Sequence, residues 1–384
     1  MKSRTLFATI ALISAIGCTP PPPGQQFLTD AVAALGGRSR IEAAKTLVIE
    51  GKGVNYNLGQ DMTPEAATQT FEITGYVRKI DLANRRQRIE QTRTPKFAYF
   101  QGPQPQTQIQ ALDGDVAFNV NPAGDASRAA AAVETDRRFD LYHHPLALLR
   151  AATDARASVT NVRSVGAIRQ ADIMTAAGIG LTMTVDATGL PLSISSKTDH
   201  ANLGDVVLTT TFADYQDVSG LKLPAHFTGK VDEFTTWDLQ AARQTLDTEV
   251  GDLAAPAAVT SKPAPAAAAN VTAEQVGTGV WFLAGQSHHS VLVEFADHLM
   301  LIEAPQSEAR TLAVIAKAKQ TVPGKPLTQL VTTHHHFDHT AGLRTAIVEG
   351  LTIIRTRATR IGSRTWRDGR TRSIPICSRT TCLG

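Results

Sequence analysis

The sequence predicts an α+β protein in which a large antiparallel β-sheet domain is followed by a linker and a smaller domain of strands and helices. Three observations carry this reading. Short runs rich in apolar and β-branched residues, broken by Gly, Pro, Asn and Asp, recur from Thr46 to Val231. An Ala/Pro tract, LAAPAAVTSKPAPAAAAN, occupies Leu253 to Asn270 and reads as a semi-rigid linker that cannot join a packed core. Beyond it, strand-like runs are followed by one amphipathic helical stretch and another strand. At 384 residues, with 42% hydrophobic and 19% charged residues, the chain has the composition of a globular protein of about two domains.

The N-terminus reads as an export signal. Lys2 and Arg4 precede an apolar run from Leu6 to Ile16, then Ala15-Ile16-Gly17-Cys18, Thr19 and four prolines from Pro20 to Pro23. The apolar run is too short for a permanent membrane span. The pattern resembles a bacterial lipoprotein signal, which implies that Cys18 becomes the lipidated first residue of an exported, periplasmic, membrane-anchored protein. Ordinary cleavage after Gly17 is the alternative. Residues 1–18 are therefore read as signal and 19–26 as a Pro-rich tether. Between residues 19 and 376 there is no cysteine, so the exported body must be stabilised by core burial rather than by disulfides.

Residues 27–252 form the β-rich domain. Phe27 to Leu35 reads as a helix with Thr29 near its start and Gly36-Gly37 as its stop. Strands follow at Thr46–Ile49, Phe71–Ile80, Val116–Val120, Leu181–Val185, Leu192–Ser196, Val206–Phe212 and Ala225–Val231. Thr188-Gly189-Leu190-Pro191 and Val218-Ser219-Gly220-Leu221 read as hairpin turns. A second helix is expected from His143-His144-Pro145 to Ala152; the two adjacent histidines diverge on it and make no local metal pair. The element order, the export signal and the DxxGLP turn from Asp186 to Pro191 together resemble the half-barrel of periplasmic lipoprotein-carrier proteins. That resemblance implies a curved sheet around an apolar cavity able to hold an acyl chain.

Residues 271–354 carry the chemistry. Val280–Leu283, Ser290–Phe295 and Leu299–Ile302 read as strands, Ser307–Gln320 as a helix and Gln329–Thr332 as a buried strand. The run Thr333-His334-His335-His336-Phe337-Asp338-His339 follows at once, and Ala341–Ile347 opens another helix. His334, His336, Asp338 and His339 make the pattern H-x-H-x-D-H. Imidazoles two apart in an extended segment project from one side, and three nitrogens with one carboxylate suit Zn²⁺ or another borderline metal. No Gly-rich phosphate loop and no Ser-His-Asp spacing competes with it.

Val331 to Gly342, VTTHHHFDHTAG, resembles the first metal-binding motif of the metallo-β-lactamase superfamily, and the surrounding elements resemble the first half of that family's αββα sandwich. The resemblance covers residues 274–354. It implies zinc, two ions in the complete family fold, with His334 and His336 on the first and Asp338 and His339 on the second. It implies further that the metal activates a water for attack on a carbonyl or phosphorus centre and that Asp338 also acts catalytically by orienting that water. His335, His288 and His289 are candidates for steadying the ligands or facing the substrate. The expected function is hydrolysis of a small ester, lactam, thioester or phosphoester in the cell envelope. The alternative, from a different class, is a non-catalytic envelope lipoprotein that binds lipid or lipoprotein through its β domain. The family also takes a third histidine, a bridging carboxylate and a late histidine, yet no histidine follows His339. The expectation is therefore weak metal binding and impaired turnover.

From Arg355 to Gly384 there are eight arginines, one aspartate and no lysine. Without this tail Lys+Arg falls from 38 to 30 and Asp+Glu from 35 to 34, so the formal charge of +3 becomes −4. Its Arg/Ser/Thr/Cys-rich composition is what a GC-rich gene read out of frame produces, and the tail is expected to be out of frame or disordered. A basic arm for nucleic acid or anionic lipid is the competing reading; the tail holds no aromatic residue but Trp366, so no nucleic-acid partner is expected.

Overall fold

The computed structural model describes residues 20–63, 66–98, 104–200, 203–265 and 270–355. The signal with Cys18 and the Arg-rich tail after Arg355 lie outside the described residues. The chain opens with α1 (Pro23–Leu35) and α2 (Arg38–Ala43). Six strands follow, β1 (Thr46–Tyr56), β2 (Thr70–Asp81), β3 (Arg86–Pro95), β4 (Gln106–Asp113), β5 (Val116–Val120) and β6 (Ala126–Arg128). Helices α3 (Ala131–Tyr142) and α4 (Pro145–Ala152) then cross to β7 (Ser158–Val165), β8 (Ile168–Met174) and β9 (Gly180–Val185). The sheet ends with β10 (Pro191–His200), β11 (Gly204–Val218), β12 (Leu221–Val231) and β13 (Phe234–Leu246).

These thirteen strands form one antiparallel sheet ordered β6-β5-β4-β3-β2-β1-β13-β12-β11-β10-β9-β8-β7. It is two meanders joined where β1 pairs with β13, Leu47 opposite Leu246. Hairpins of this kind need only tight turns: Ser219 and Gly220, both at positive φ (53° and 82°), make the two-residue β11–β12 turn. One face packs on α1, α2 and α4 through Phe27, Leu35, Ile41, Leu47, Leu146 and Leu149, all essentially inaccessible.

Three local features depart from the expected layout. α1 begins at Pro23, inside the expected tether, because proline's fixed φ and missing N–H suit the first helical turn. α3 was not expected, since half of its sequence AAVETDRRFDLY is polar; Arg137 inside it is buried by donating to the carbonyls of Ala111 and Phe118. The Ala/Pro segment is not free of the core either. It contains a short helix, α5 (Ala257–Thr260), whose Val259 is fully buried against Ala111 and Phe118.

The second sheet is smaller and mixed. β14 (Thr272–Gly277), β15 (Val280–Ala284), β16 (Ser290–Glu294) and β17 (Leu299–Ile302) form an antiparallel meander. α6 (Glu308–Thr321), capped by the Ser307 hydroxyl accepting from Arg310 N–H, crosses over to β18 (Leu327–Val331), which is parallel to β17. α7 (Phe337–Thr340) and α8 (Leu343–Val348) lead to a parallel edge strand, β19 (Thr352–Ile354). Leu292, Leu301, Val314, Ile315, Leu330 and Ala346 make its core. The protein is thus α+β, with a thirteen-stranded antiparallel sheet and a six-stranded mixed one. No helix among the described residues is long and apolar enough to cross a membrane.

Candidate metal centre

Parallel strands β17 and β18 end side by side, and loops that leave the carboxyl ends of such strands are where open sheets gather ligands. Glu303 follows β17 and Thr332 to His336 follow β18. Backbone hydrogen bonds lock the two loops together: Glu303 N–H donates to Val331 O (2.8 Å), Gln306 N–H to Asp338 O (3.1 Å) and Gly342 N–H to Ala304 O (2.9 Å). Three non-glycine residues at positive φ border the cluster, His288 (52°), Glu303 (76°) and Gln306 (69°). Such conformations persist only where surrounding contacts hold them.

The donor atoms of His288, Asp338 and His339 lie within 4.8 Å of one another. His288 Nε2 is 2.8 Å from Asp338 Oδ2, and His339 Nε2 is 3.9 Å from the same oxygen. The Gln306 side-chain amide reaches His288 Nδ1 at 2.8 Å. On the other side, His339 Nδ1 is 3.1 Å from Glu303 Oε2, while Glu303 Oε1 accepts from Thr333 N–H at 2.8 Å. That carboxylate is buried and turns His339 so that Nε2 faces the cluster, as carboxylates do for metal-bound histidines.

His334 and His336, expected to hold the first metal, stand beside this group rather than within it. The His334 ring lies 4.1 Å from that of His339 and 4.6 Å from that of His336, centroid to centroid. His334 Nδ1 contacts Thr333 Oγ1 at 2.9 Å, and His336 Nε2 donates to the backbone carbonyl of Asp61 at 2.9 Å. His288, expected at the margin, is instead the donor closest to Asp338, because the β15–β16 loop brings it across the ends of β17 and β18. His289 turns the other way, onto the Phe282 ring at 4.8 Å, and accepts from Gly285 N–H. His335 packs against the His336 ring at 4.9 Å, outside the donor group.

The electrostatics suit a cation. Burial alone would raise the Asp338 carboxyl, but the Gln60 hydrogen bond, its own backbone amide and the neighbouring His339 and His288 outweigh it and hold it below the ordinary carboxylate range. Burial lowers the His334 imidazole, and His339 and His336 nearby push the same way against Glu303 and Asp338. At neutral pH Asp338 is therefore an ionised carboxylate and His334, next to the cluster, a neutral imidazole, the forms that bind metal. A set of imidazoles with one carboxylate fits zinc or a similar borderline ion.

Glu303, Gln306, Gln60 and Asp61 were not singled out from the sequence. Glu303 left a local signal, a lone carboxylate directly after the buried strand LMLI. Gln60 and Asp61 left none, since they are 278 and 275 residues from their partners Asp338 and His336.

A donor cluster at the carboxyl ends of parallel strands, with a strand-loop-helix carrying H-x-H-x-D-H, defines the class as a metallo-hydrolase-type domain behind a large β-sheet domain. Residues 284–347 match the model of the metallo-beta-lactamase superfamily, so a domain of that superfamily is present in this part of the chain. Among solved structures, the chain is similar to the metallo-β-lactamase from Hirschia baltica, with 26% identity and a TM-score of 0.23 over 24% of this chain and 46% of that one. It is similar also to the metallo-β-lactamase FIM-1 from Pseudomonas aeruginosa in its mono-zinc form, with 23% identity and a TM-score of 0.22 over 25% of this chain and 46% of that one. The chain thus spans about half the length of these lactamases. A LolA superfamily protein from Nitrosomonas europaea is matched over 59% of this chain and 94% of its own, at 9% identity and a TM-score of 0.36. No curated protein matches the chain.

Proposed function

We propose that the protein is a zinc-dependent hydrolase of the metallo-β-lactamase type, acting in the cell envelope on a small ester, lactam, thioester or phosphoester. The observation that carries this is the convergence of His288, Asp338 and His339 in the segment that matches the superfamily. When bound, zinc supplies Lewis acidity and an activated water. His288, His339 and Asp338 would hold the ion, with His334 and His336 next to them. Asp338 also offers a carboxylate oxygen to orient a water. Glu303 and Gln306 fix the two outer imidazoles, so the ligands need little rearrangement. The lipoprotein-like pattern at the N-terminus supports an envelope location with Cys18 as the anchor, and the substrate in this reading is a small molecule.

The test is zinc stoichiometry of the purified chain by atomic absorption, combined with hydrolysis of one generic substrate from each of the four classes. We expect fewer than two tightly held zinc ions per chain and slow turnover of one class that Asp338→Asn abolishes. Absence of both zinc and turnover sinks the hydrolase reading.

A second reading has its own support. A cavity of about 330 Å³ lies against the large sheet, lined by Ile73, Tyr76, Ile89, Val133, Trp237 and Leu239, with Arg78 and Arg137 among its polar groups. It favours a binding role for the β domain. Fluorescence titration of Trp237 with a fatty acid checks it, with saturable quenching as the expected outcome.

A further inference from the structure

The two sheets meet at the metal cluster. The turn that follows β1 carries Gln60, whose side-chain amide donates to Asp338 Oδ1 at 2.8 Å. The other oxygen of that carboxylate, Oδ2, is the one that faces His288 and His339. The next residue, Asp61, accepts at its backbone carbonyl from His336 Nε2 at 2.9 Å. A carbonyl oxygen only accepts, so Nε2 carries a proton, and in the neutral ring Nδ1 is the nitrogen left bare. A hydrogen bond from one ring nitrogen to a carbonyl is how proteins set the tautomer and orientation of a histidine that ligates through the other.

The turn is itself held firmly. Gln60 N–H donates to Asn57 O (3.1 Å) and Asn57 N–H to Gln69 O (2.8 Å). The Asp61 side chain, buried, accepts from Gln69 N–H at 3.2 Å. A second contact fixes the same approach from another hairpin, where Arg344 on α8 pairs with Asp199 at the end of β10. The turn therefore meets the donors as a preformed surface, and ordering it costs little when a ligand arrives.

We infer that the large sheet domain is part of the metal centre, with the Asn57–Asp61 turn positioning one of its donors, Asp338, and the His336 ring beside them. Gln60 is a positioning residue that holds the outer oxygen of Asp338 and leaves Oδ2 for the cation. The Asp61 carbonyl keeps the His336 ring with Nδ1 free. The inference rests on the metal-site reading above, and it adds that the second sheet alone does not make a competent site.

Cobalt(II) titration of the apo-protein, read by its visible absorption bands and by competition with a chromophoric chelator, tests this. Gln60→Ala is expected to weaken cobalt and zinc binding by about 10- to 100-fold and to shift the cobalt bands, with the circular dichroism spectrum unchanged. Arg344→Ala, which loosens the same domain contact away from the donors, is expected to leave the bands where they are. In the wild-type apo-protein, ¹⁵N imidazole spectroscopy should find His336 as the Nε2–H tautomer. Wild-type binding and bands in Gln60→Ala, or His336 as the Nδ1–H tautomer, overturn the positioning role alone. A wild-type chain that takes up neither cobalt nor zinc overturns the metal-site reading, and the role of Gln60 with it.

Discussion

Asp338 gathers most of what happens at the candidate site, because one oxygen faces His288 and His339 and the other is held by Gln60. Asp338→Ala is expected to lose metal altogether on dialysis, whereas Glu303→Gln, which keeps the shape but weakens the hold on His339, should lose about 10- to 100-fold in zinc affinity. Chelator competition separates the two outcomes. Away from the site, His143 and His144 make the large sheet sensitive to acid. Burial drives the first imidazole down to about 4 and the second down to about 3. His143 is bonded to the hydroxyls of Thr210 and Ser196, and His144 Nδ1 caps α4 by accepting from Leu146 N–H. Both are neutral in the folded protein and take a proton on unfolding below the ordinary value of 6.5. Stability from them is therefore complete above pH 6.5 and falls as pH drops from there to 4 for His143 and to 3 for His144, by on the order of 3 and 5 kcal/mol respectively. Urea unfolding midpoints measured between pH 7 and 3 check this, and His143→Gln should flatten the slope. A midpoint independent of pH in this window would show that the two rings are not buried neutral.

At the scale of elements, the strand-to-helix passage that carries the motif depends on one glycine. A Cβ at Gly342 would lie 1.7 Å from Thr311 Oγ1 and 2.4 Å from Thr311 Cβ on α6. Gly342→Ala must therefore push α8 and the motif loop away from α6, at about 1–3 kcal/mol. A lowered melting temperature with weaker zinc binding is the expected result, and an unchanged melting curve would mean that α6 gives way freely. Many strands of both sheets were legible because alternation and turn chemistry are local: Val116–Val120 is a strand as read, and the Ser219-Gly220 turn is where the sequence places it. α3 was hidden because its apolar residues are interrupted by six polar ones, and beside Leu141 and Tyr142 it buries Arg137, which reaches carbonyls on β4 and β5. The Ala/Pro segment misled for a similar reason. Its composition excludes a core of its own, yet Val259 docks against Ala111 and Phe118 on a surface that another part of the chain builds.

For the whole molecule, the contact between the sheets decides whether the chain behaves as one unit or two. Gln60 with Asp338, Asp61 with His336 and Arg344 with Asp199 join them. The Arg344–Asp199 pair is part-exposed and contributes about 0–1 kcal/mol to stability. Arg344→Ala is therefore expected to lower the melting temperature by only a few degrees and to leave the sheets melting together, held by Gln60 and Asp61. Differential scanning calorimetry reads this directly, and a small sheet that melts separately and earlier would show that the Arg344–Asp199 pair is what holds the two together. Along the outer margin of the small sheet, Ile347, Val348 and Ile354 are 49%, 51% and 42% exposed, so this side of β19 and α8 carries apolar surface among the described residues.

By itself the sequence determined the α+β class, many of the strands and the residue types of a metal site. Hydrophobic period, turn residues and the H-x-H-x-D-H spacing are all read within a few positions of one another. Only the tertiary structure decided which donors meet. His288 rather than His336 stands against Asp338, Glu303 turns His339, and Gln60 and Asp61 arrive from a sheet hundreds of residues away in sequence. The reason is that a hydrogen bond depends on distance in space, and distance in space across a strand crossover leaves no trace in local sequence pattern.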